Sequence, residues 1–283
     1  MDVPWDLDIG LIYTAEAEWI RPLLASLWES RGRMRVRLLL VDNRTKLGPA
    51  PWSGIFAETR VIRNPRRLGY GPNLNRIAEH SDAPYLLLLN TDMLFDPQAG
   101  CLERMVDFMR QHPECGVAGC RLLHRDGSEG YAARRWPTPR AIAARRLPGM
   151  GRIWRDQVAD HLYGQHSVEQ TFACDWLSGC FLMIRREARE EVGGFDEGFR
   201  KYFEDVDYCW RMQQAGWRVM YHGATHCTHF EQRGSRRVVS ADAWQHLRSY
   251  ARWYWKCGRE GEQRKRRLAE LPANEAVGRR RAA

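Results

Sequence analysis

The run Tyr85-Leu86-Leu87-Leu88-Leu89 constrains the fold more than any other stretch of the chain. An edge or half-buried strand alternates apolar with polar residues, and a membrane span needs far more residues than this run provides. What fits is a strand covered on both faces. Comparable short runs stand at 8–14 (DIGLIYT) and 36–42 (VRLLLVD), with others expected at 58–62 and 116–122. Between them apolar residues recur at helical spacing: Ile20, Leu23, Leu24, Leu27 and Trp28, then Leu102, Met105, Val106, Phe108 and Met109. Strands of this kind alternating with amphipathic helices indicate an α/β fold with a mostly parallel, doubly wound sheet. Ligands in such sheets bind beyond the carboxyl ends of the strands, so the residues just after each strand matter most.

From about 125 to 173 the pattern breaks down. Pro137, Pro139 and Pro148 interrupt it, and this stretch is expected to be an irregular insertion. Regular elements resume at 179–184, at a helix starting near Tyr202, at 217–221, and in a last helix over about 241–255 carrying Trp244, Leu247, Tyr250, Trp253 and Tyr254. One domain over 1–257 followed by a basic, flexible tail over 258–283 is the expected organisation. The eight cysteines contain no CxxC pair, and no secretory segment precedes the first strand. They read as reduced thiols, mostly small core residues, of a cytosolic protein.

The strand ends are polar in a consistent way. The second ends in Asp42-Asn43 and the fourth in Asn90-Thr91-Asp92. Between them lies a segment from Asn64 to Asn75 in which Gly69, Gly71 and Pro72 let the backbone approach a ligand, while the helix that follows favours an anion. Each end alone could be ordinary helix capping; three on the ligand edge of one sheet indicate a site. Asp92 is a hard oxygen ligand suited to Mg²⁺ or Mn²⁺ on a diphosphate. Asp96-Pro97 reads instead as an N-cap with proline at the first helical position. Further along, Glu204, Asp205 and Asp207 put three carboxylates into a first helical turn, more than capping needs and suited to a general base acting on an alcohol. His222, His226 and His229 surround Cys227, but neighbours on an extended segment point to opposite faces, which disfavours zinc. A single histidine completing an aspartate-held metal fits better.

Taken in order, these residues resemble the inverting family 2 glycosyltransferases of the GT-A fold, and most closely a bacterial rhamnosyltransferase-like branch. Val41-Asp42-Asn43 is like the family's donor-base contact, and Gly69-Tyr70-Gly71-Pro72-Asn73-Leu74-Asn75 is similar to its GYGxxxN segment. Leu88-Leu89-Asn90-Thr91-Asp92 is like LLNPD, whose last aspartate binds the cation. Asp175-Trp176-Leu177-Ser178-Gly179-Cys180 is similar to the acceptor-side DWLSGA. Gly193-Gly194-Phe195-Asp196 followed by Phe203-Glu204-Asp205-Val206-Asp207 resembles GGFDE…FEDxDL, and His229 with Ser235 is like the closing H…S element. Thr14 stands where the family's first strand ends in asparagine, Thr91 replaces a proline, Leu74 a histidine, and Arg44-Thr45 a small turn.

The resemblance implies a GT-A domain with a nucleotide-sugar half over about 1–122, the insertion over 125–173 and an acceptor and catalytic half over 174–257, ending in a helical tail. It implies transfer of a sugar, rhamnose in this branch, from a nucleoside-diphosphate-sugar to a hydroxyl of a glycan or lipid-linked acceptor in surface polysaccharide synthesis. Asp205, with Glu204 beside it, is the implied base. Asp42, Asn43, Gly69, Asn75, Asn90 and Asp92 would hold the donor. Thr14, Trp176, Gly179, Asp207 and Arg211 would meet substrate, and Asp92 with His229 would hold Mg²⁺ or Mn²⁺. Two other classes compete. A catalytically silent basic module binding a membrane or polyanion would explain the charge but not the carboxylates. A nucleotidyltransferase would need a glycine-rich basic loop after the first strand, where Thr14-Ala15-Glu16 stands.

Lys plus Arg number 44 against 35 Asp plus Glu, a net charge of +9. That excess suggests a polyanion: nucleic acid, an anionic membrane or a phosphate-bearing ligand. Its placement narrows the choice. Residues 131–155 hold seven arginines and no acid, and 258–283 hold eight basic residues against four acidic ones, leaving the rest near neutral. With Trp136 and Trp154 in the insertion, and Trp253 and Trp255 before the tail, the reading is an anionic membrane surface or the acceptor, not nucleic acid. The expected location is cytoplasmic, peripheral to the inner face of the membrane.

Overall fold

A computed structural model describes residues 4–43, 55–56, 58–146, 149–230 and 241–258. Arg44-Thr45, Ser235 and the tail beyond residue 258, all singled out above, lie outside the described residues. The first half runs β1 (Leu7–Tyr13), α1 (Ala17–Ser30), β2 (Val36–Asp42), β3 (Thr59–Arg63), α2 (Tyr70–Glu79), β4 (Tyr85–Leu89), β5 (Met93–Leu94), α3 (Cys101–Gln111) and β6 (Cys115–Leu123). Then come β7 (Ala133–Arg134), α4 (Pro139–Arg146), α5 (Met150–Ile153), α6 (Arg155–His161), β8 (Thr171–Ala173) and β9 (Trp176–Leu177). The chain continues through β10 (Phe181–Arg185), α7 (Arg186–Val192), α8 (Glu204–Gln214), β11 (Arg218–His229) and α9 (Ala241–Trp253), which ends in a π turn, Tyr254–Gly258.

The main sheet has the order β3-β2-β1-β4-β10-β6-β11-β5, with β8 added on β11. From β3 to β4 every pairing is parallel, as expected from the continuous apolar runs. Beyond β4 the sheet is mixed. β10 runs antiparallel to β4 and β6, while β6 and β11 are parallel. A strand buried on both faces carries the same kind of sequence in either direction, so the apolar run of β10 did not reveal its reversal. All of β4 is buried, as are Ile20, Leu23, Leu24 and Leu27 of α1 and Leu102, Met105, Val106 and Met109 of α3. Helix α2 lies close on β1 because residue 10 is glycine; a Cβ there would stand 2.5 Å from Ile77 Cγ2. At the amino-terminal ends of the strands, opposite the ligand edge, Arg37 pairs with the fully buried Asp8 at 2.8 Å, and Asp8 also accepts from the backbone N–H groups of Asp82 and Ala83. Asp96 caps a short 3₁₀ turn as expected, accepting from Gln98 N–H at 2.9 Å.

The insertion is less irregular than expected, for it carries α4, α5 and α6. Trp136 fastens it to the rest. Its ring stacks on Trp253 of α9 at 5.8 Å and meets Trp210 of α8 edge-on at 5.5 Å. Both Trp136 and Trp253 are buried, which corrects their expected place at a membrane surface. Each indole covers a large apolar area, and stacking the two removes it from water without any lipid. Helix α9 is further held by Ser249, which donates to the Lys201 carbonyl, and by Arg252 and Lys256, which pair with Asp196.

Candidate active site

The site is assembled where β4 and β10 meet. Because β10 is antiparallel to β4, the turn entering β10 lies beside the residues leaving β4, and Asn90 N–H donates to the Cys180 carbonyl at 3.1 Å. Asp92 follows at once. β5 then pairs antiparallel with the end of β11, placing His229 opposite Met93. That register brings His229 Nε2 to 3.3 Å from Asp92 Oδ1. Burial works against a charged imidazole, but the Cys180 sulfur and the Asp92 carboxylate outweigh it and lift the His229 pKa to about 10. One carboxylate and one imidazole fit a divalent cation of the Mg²⁺ or Mn²⁺ kind once the imidazole gives up its proton. Among the described residues no group of three or more His, Cys, Asp or Glu side chains is arranged to hold an ion alone. A cation held by these two residues would take its other ligands from substrate oxygens and water.

Across the turn stands Asp205, in the first turn of α8. Its Oδ2 accepts from Gly179 N–H at 2.8 Å and its Oδ1 from Val206 N–H at 2.9 Å. Gly179 permits this approach, since a Cβ at that position would lie 3.2 Å from the same oxygen. Burial raises the Asp205 pKa against the pull of those two N–H groups and of the Arg134 guanidinium. Glu204 is more deeply buried, and its Oε2 has no hydrogen-bond partner among the described residues. Burial and then the Asp205 charge lift Glu204 to about 8, so at neutral pH it is the protonated member of the pair. The backbone leading in is strained. Tyr202 and Phe203 both sit in the left-handed region, with φ of 70° and 71°, immediately before Glu204. Two successive bulky residues in that region are costly, and such strain gathers at functional sites.

Tyr70, at the start of α2, joins the two halves. Its hydroxyl donates to Asn90 Oδ1 at 3.0 Å and lies 3.4 Å from the Gly179 carbonyl. Burial, then Glu204, Cys180, Asp205 and Asp92, raise its pKa well above the ordinary value. The hydroxyl therefore stays protonated and remains a donor amid the acids. Tyr70 and Arg134 were not singled out as site residues from sequence. The glycines flanking Tyr70 were the available signal for the first. Arg134, which lies 5.0 Å from the Trp176 ring and acts on Asp205, was hidden among the seven arginines of the insertion.

Other residues expected to touch substrate are engaged within the protein. Asn43 accepts from Leu68 N–H and Asn64 Nδ2 and donates to the Leu68 carbonyl, which fixes the loop leading to Gly69. Asn75 accepts from Phe195 N–H at 2.6 Å and donates to the Phe195 carbonyl and to Glu197, tying α2 to the loop before α8. Asp207 is fully buried against Arg211 at 2.9 Å and Lys256 at 2.7 Å. Arg211 spends its other nitrogens on the Val192 and Gly194 carbonyls. Trp176 is buried and donates to the Arg135 carbonyl, and Thr14 bonds Glu16 beside Ala15, whose φ is 92°. Asp42 is buried at the end of β2, next to the ligand edge. His222 stacks on Phe108 at 4.4 Å, and among the described residues the histidines of β11 form no group of three or more metal ligands.

Comparison with known proteins identifies the family and the fold. Glycosyl transferase family 2 matches residues 9–193. The N-acetylglucosaminyl-diphospho-decaprenol L-rhamnosyltransferase of Mycobacterium tuberculosis is 28% identical over 228 residues, covering 76% of this chain and 73% of its own. Rhamnosyltransferase WbbL of Escherichia coli is 34% identical over 196 residues, covering 65% and 69%. Among solved structures, the mannosyltransferase PcManGT from Pyrobaculum calidifontis in complex with GDP-Man and Mn²⁺ superposes with a TM-score of 0.58 at 16% identity, over 88% of this chain and 65% of that one. GalNAc-T7 with UDP, GalNAc and Mn²⁺ gives the same TM-score at 15% identity, over 88% of this chain and 48% of that one. At such identities the structural likeness shows the fold, which is GT-A.

Proposed function

The chain belongs to glycosyl transferase family 2, and from that premise we propose that it moves a sugar from a nucleoside-diphosphate donor to a hydroxyl of a glycan or lipid-linked acceptor, with inversion at the anomeric carbon. Similarity to two rhamnosyltransferases favours rhamnose as the sugar. The observation that carries the reading is the seating of Asp205, held by two N–H groups beside a protonated Glu204 and facing the Asp92–His229 pair across Tyr70.

In this reading the donor enters beyond the carboxyl ends of β1, β2 and β4, with Asp42 on the nucleoside side and Asp92 with His229 on the diphosphate side. Asp92 and His229 would hold Mg²⁺ or Mn²⁺ there, and the ion would supply positive charge opposite the departing diphosphate. Asp205 takes the proton from the acceptor hydroxyl as that oxygen attacks the anomeric carbon from the face opposite the leaving group. Glu204, kept neutral, leaves Asp205 as the charged member of the pair. Tyr70 donates toward the Asn90 side and helps fix the junction of β4 and β10. No helix among the described residues is long and apolar enough to cross a membrane. A lipid-linked acceptor would be met from the cytoplasmic side, with the enzyme peripheral to the bilayer.

Asp205→Asn tests the assignment. Turnover is expected to fall by about 10²–10⁴ while donor affinity, titrated in the presence of Mn²⁺, stays near that of the parent. Asp92→Asn is expected to weaken metal-dependent donor binding instead. Unchanged turnover in the first variant would overturn the base. A panel of nucleotide-sugars, ranked by the rise in melting temperature with Mn²⁺, identifies the donor.

A further inference from the structure

Only five large hydrophobic side chains are exposed among the described residues, and three of them lie on α9 and the turn that ends it. Trp244 is 71% exposed, Leu247 49% and Trp255 73%. Positions 244, 247, 248, 251 and 255 follow the spacing of one helical face, and every one of them is exposed. The opposite face is committed to the protein. Trp253 stacks on Trp136, Ser249 bonds the Lys201 carbonyl, and Tyr250 lies 5.7 Å from Phe203. Arg252 and Lys256, on the flank, are neutralised by Asp196 and Asp207. Arg248 is the basic residue that shares the outer face with the tryptophans. Beyond the helix the sequence from 259 onward adds eight basic residues against four acidic ones.

We propose that the outer face of α9, with Trp244, Leu247, Arg248 and Trp255, is a docking surface for an anionic lipid bilayer. The occupant follows from the chemistry. Indoles settle at the boundary between headgroups and acyl chains, while arginines beside them and a basic following segment are attracted to anionic headgroups. A second copy or a protein partner would cover the tryptophans but would not need the surplus positive charge. The placement also serves the reaction proposed above, on which this point rests. Phe203, against which α9 packs, immediately precedes Glu204 and Asp205. A bilayer on the outer face would thus stand about one helix diameter, roughly 10 Å, from Phe203. Docking there would hold a lipid-linked acceptor beside the segment that carries Asp205.

The test is co-sedimentation of the full chain with phosphatidylcholine vesicles with and without phosphatidylglycerol. Parent protein is expected to partition onto the anionic vesicles, less so at high salt. The Trp244→Ala/Trp255→Ala variant should bind about tenfold more weakly or worse, and Arg248→Glu should weaken the preference for phosphatidylglycerol. Both tryptophans are exposed, so the double variant should keep its melting temperature and its Asp205-dependent release of nucleotide from a nucleotide-sugar in the absence of vesicles. That second readout separates failure of docking from failure of the proposed transfer. Equal sedimentation of parent and double variant would overturn the proposal, as would equal binding to neutral vesicles. A parent that binds no vesicle but is a dimer, converted to monomer in the double variant, would assign the face to a second copy and overturn it too.

Discussion

Replacing Asp207 by asparagine separates a structural carboxylate from one that meets substrate. By resemblance Asp207 would meet substrate; in the structure it is fully buried between Arg211 and Lys256, at 2.9 and 2.7 Å, with the Cys257 thiol at 3.8 Å. Asp207→Asn keeps the shape and removes the charge. Breaking a buried ion pair on one side costs about 3–5 kcal/mol when the partner is left uncompensated. Here both partners retain others: Lys256 pairs with Asp196 at 2.7 Å, and Arg211 donates to the Val192 and Gly194 carbonyls. Lys256 is also partly solvated, which screens its share. The loss should therefore come at or below the bottom of that range, about 2–3 kcal/mol, which for a domain of this size lowers the melting temperature by roughly 4–12 °C. Because Lys256 follows α9, hydrogen exchange over 241–258 should quicken first. Urea or thermal unfolding gives the magnitude, and the acceptor KM, measured well below the midpoint, should stay close to that of the parent. An unchanged melting temperature with a raised acceptor KM would refute the reasoning and return Asp207 to the substrate.

Glu204 gives a pH signature of opposite sign to that of an ordinary paired carboxylate. Its pKa rises from 4.5 to about 8 on folding, so its contribution to stability is full below pH 4.5 and is lost as pH rises through 8. Glu204→Gln should accordingly raise the melting temperature above pH 8 relative to the parent, with the gap closing below pH 5; a gap constant with pH in unfolding scans would count against the buried, protonated carboxyl. Tyr70→Phe removes the bond to Asn90 and should cost about 1 kcal/mol in urea unfolding together with a loss of turnover. Parent-like values for both would show that the hydroxyl is not the link between β4 and β10.

Legibility in the sequence followed how local each feature is. The strands β1, β2 and β4 announced themselves because burial on both faces leaves little room for polar residues, and the Asp96 cap because its partner, Gln98, is two residues away. The joining of Asp92 to His229 depends on the register of β5 on β11, a tertiary fact that spacing cannot supply. The resemblance implied that both meet one cation, but not the direct contact of His229 Nε2 with Asp92 Oδ1. The polar residues of those motifs posed a second difficulty. Asn43, Asn75, Asp207 and Arg211 have the chemistry of ligand contacts, yet their hydrogen bonds go to neighbouring loops and helices. Sequence shows a donor or an acceptor but not what lies opposite it. The same limit misplaced Trp136 and Trp253, since an indole stacked in a core and one lying on a membrane are written alike.

The engagement of those residues has a consequence for how the site would handle charge. Asn43, Asn64 and Asn73 bond one another in series and, through Leu68 and Gly69, fix the loop that delivers Tyr70. Asn75 and Arg211 brace the loop before α8, and Lys256 and Arg252 brace it from α9. This scaffold absorbs most of the neighbouring amides and cations. At the junction of β4, β10 and α8 it leaves Asp92, Glu204 and Asp205 around Tyr70, answered by His229 and Arg134. On the proposed reading, an anionic diphosphate has to enter beside carboxylates, and the imidazolium proton is the one that a cation would displace. Like charges a few ångströms apart in a partly buried cleft oppose binding by several kcal/mol unless a positive ion lies between them. Donor affinity should therefore depend far more steeply on Mg²⁺ or Mn²⁺ than on any one of the asparagines. Asn75→Ala should act mainly by loosening the α2–α8 junction, lowering the melting temperature while the dependence of donor binding on Mn²⁺ concentration keeps its parent form.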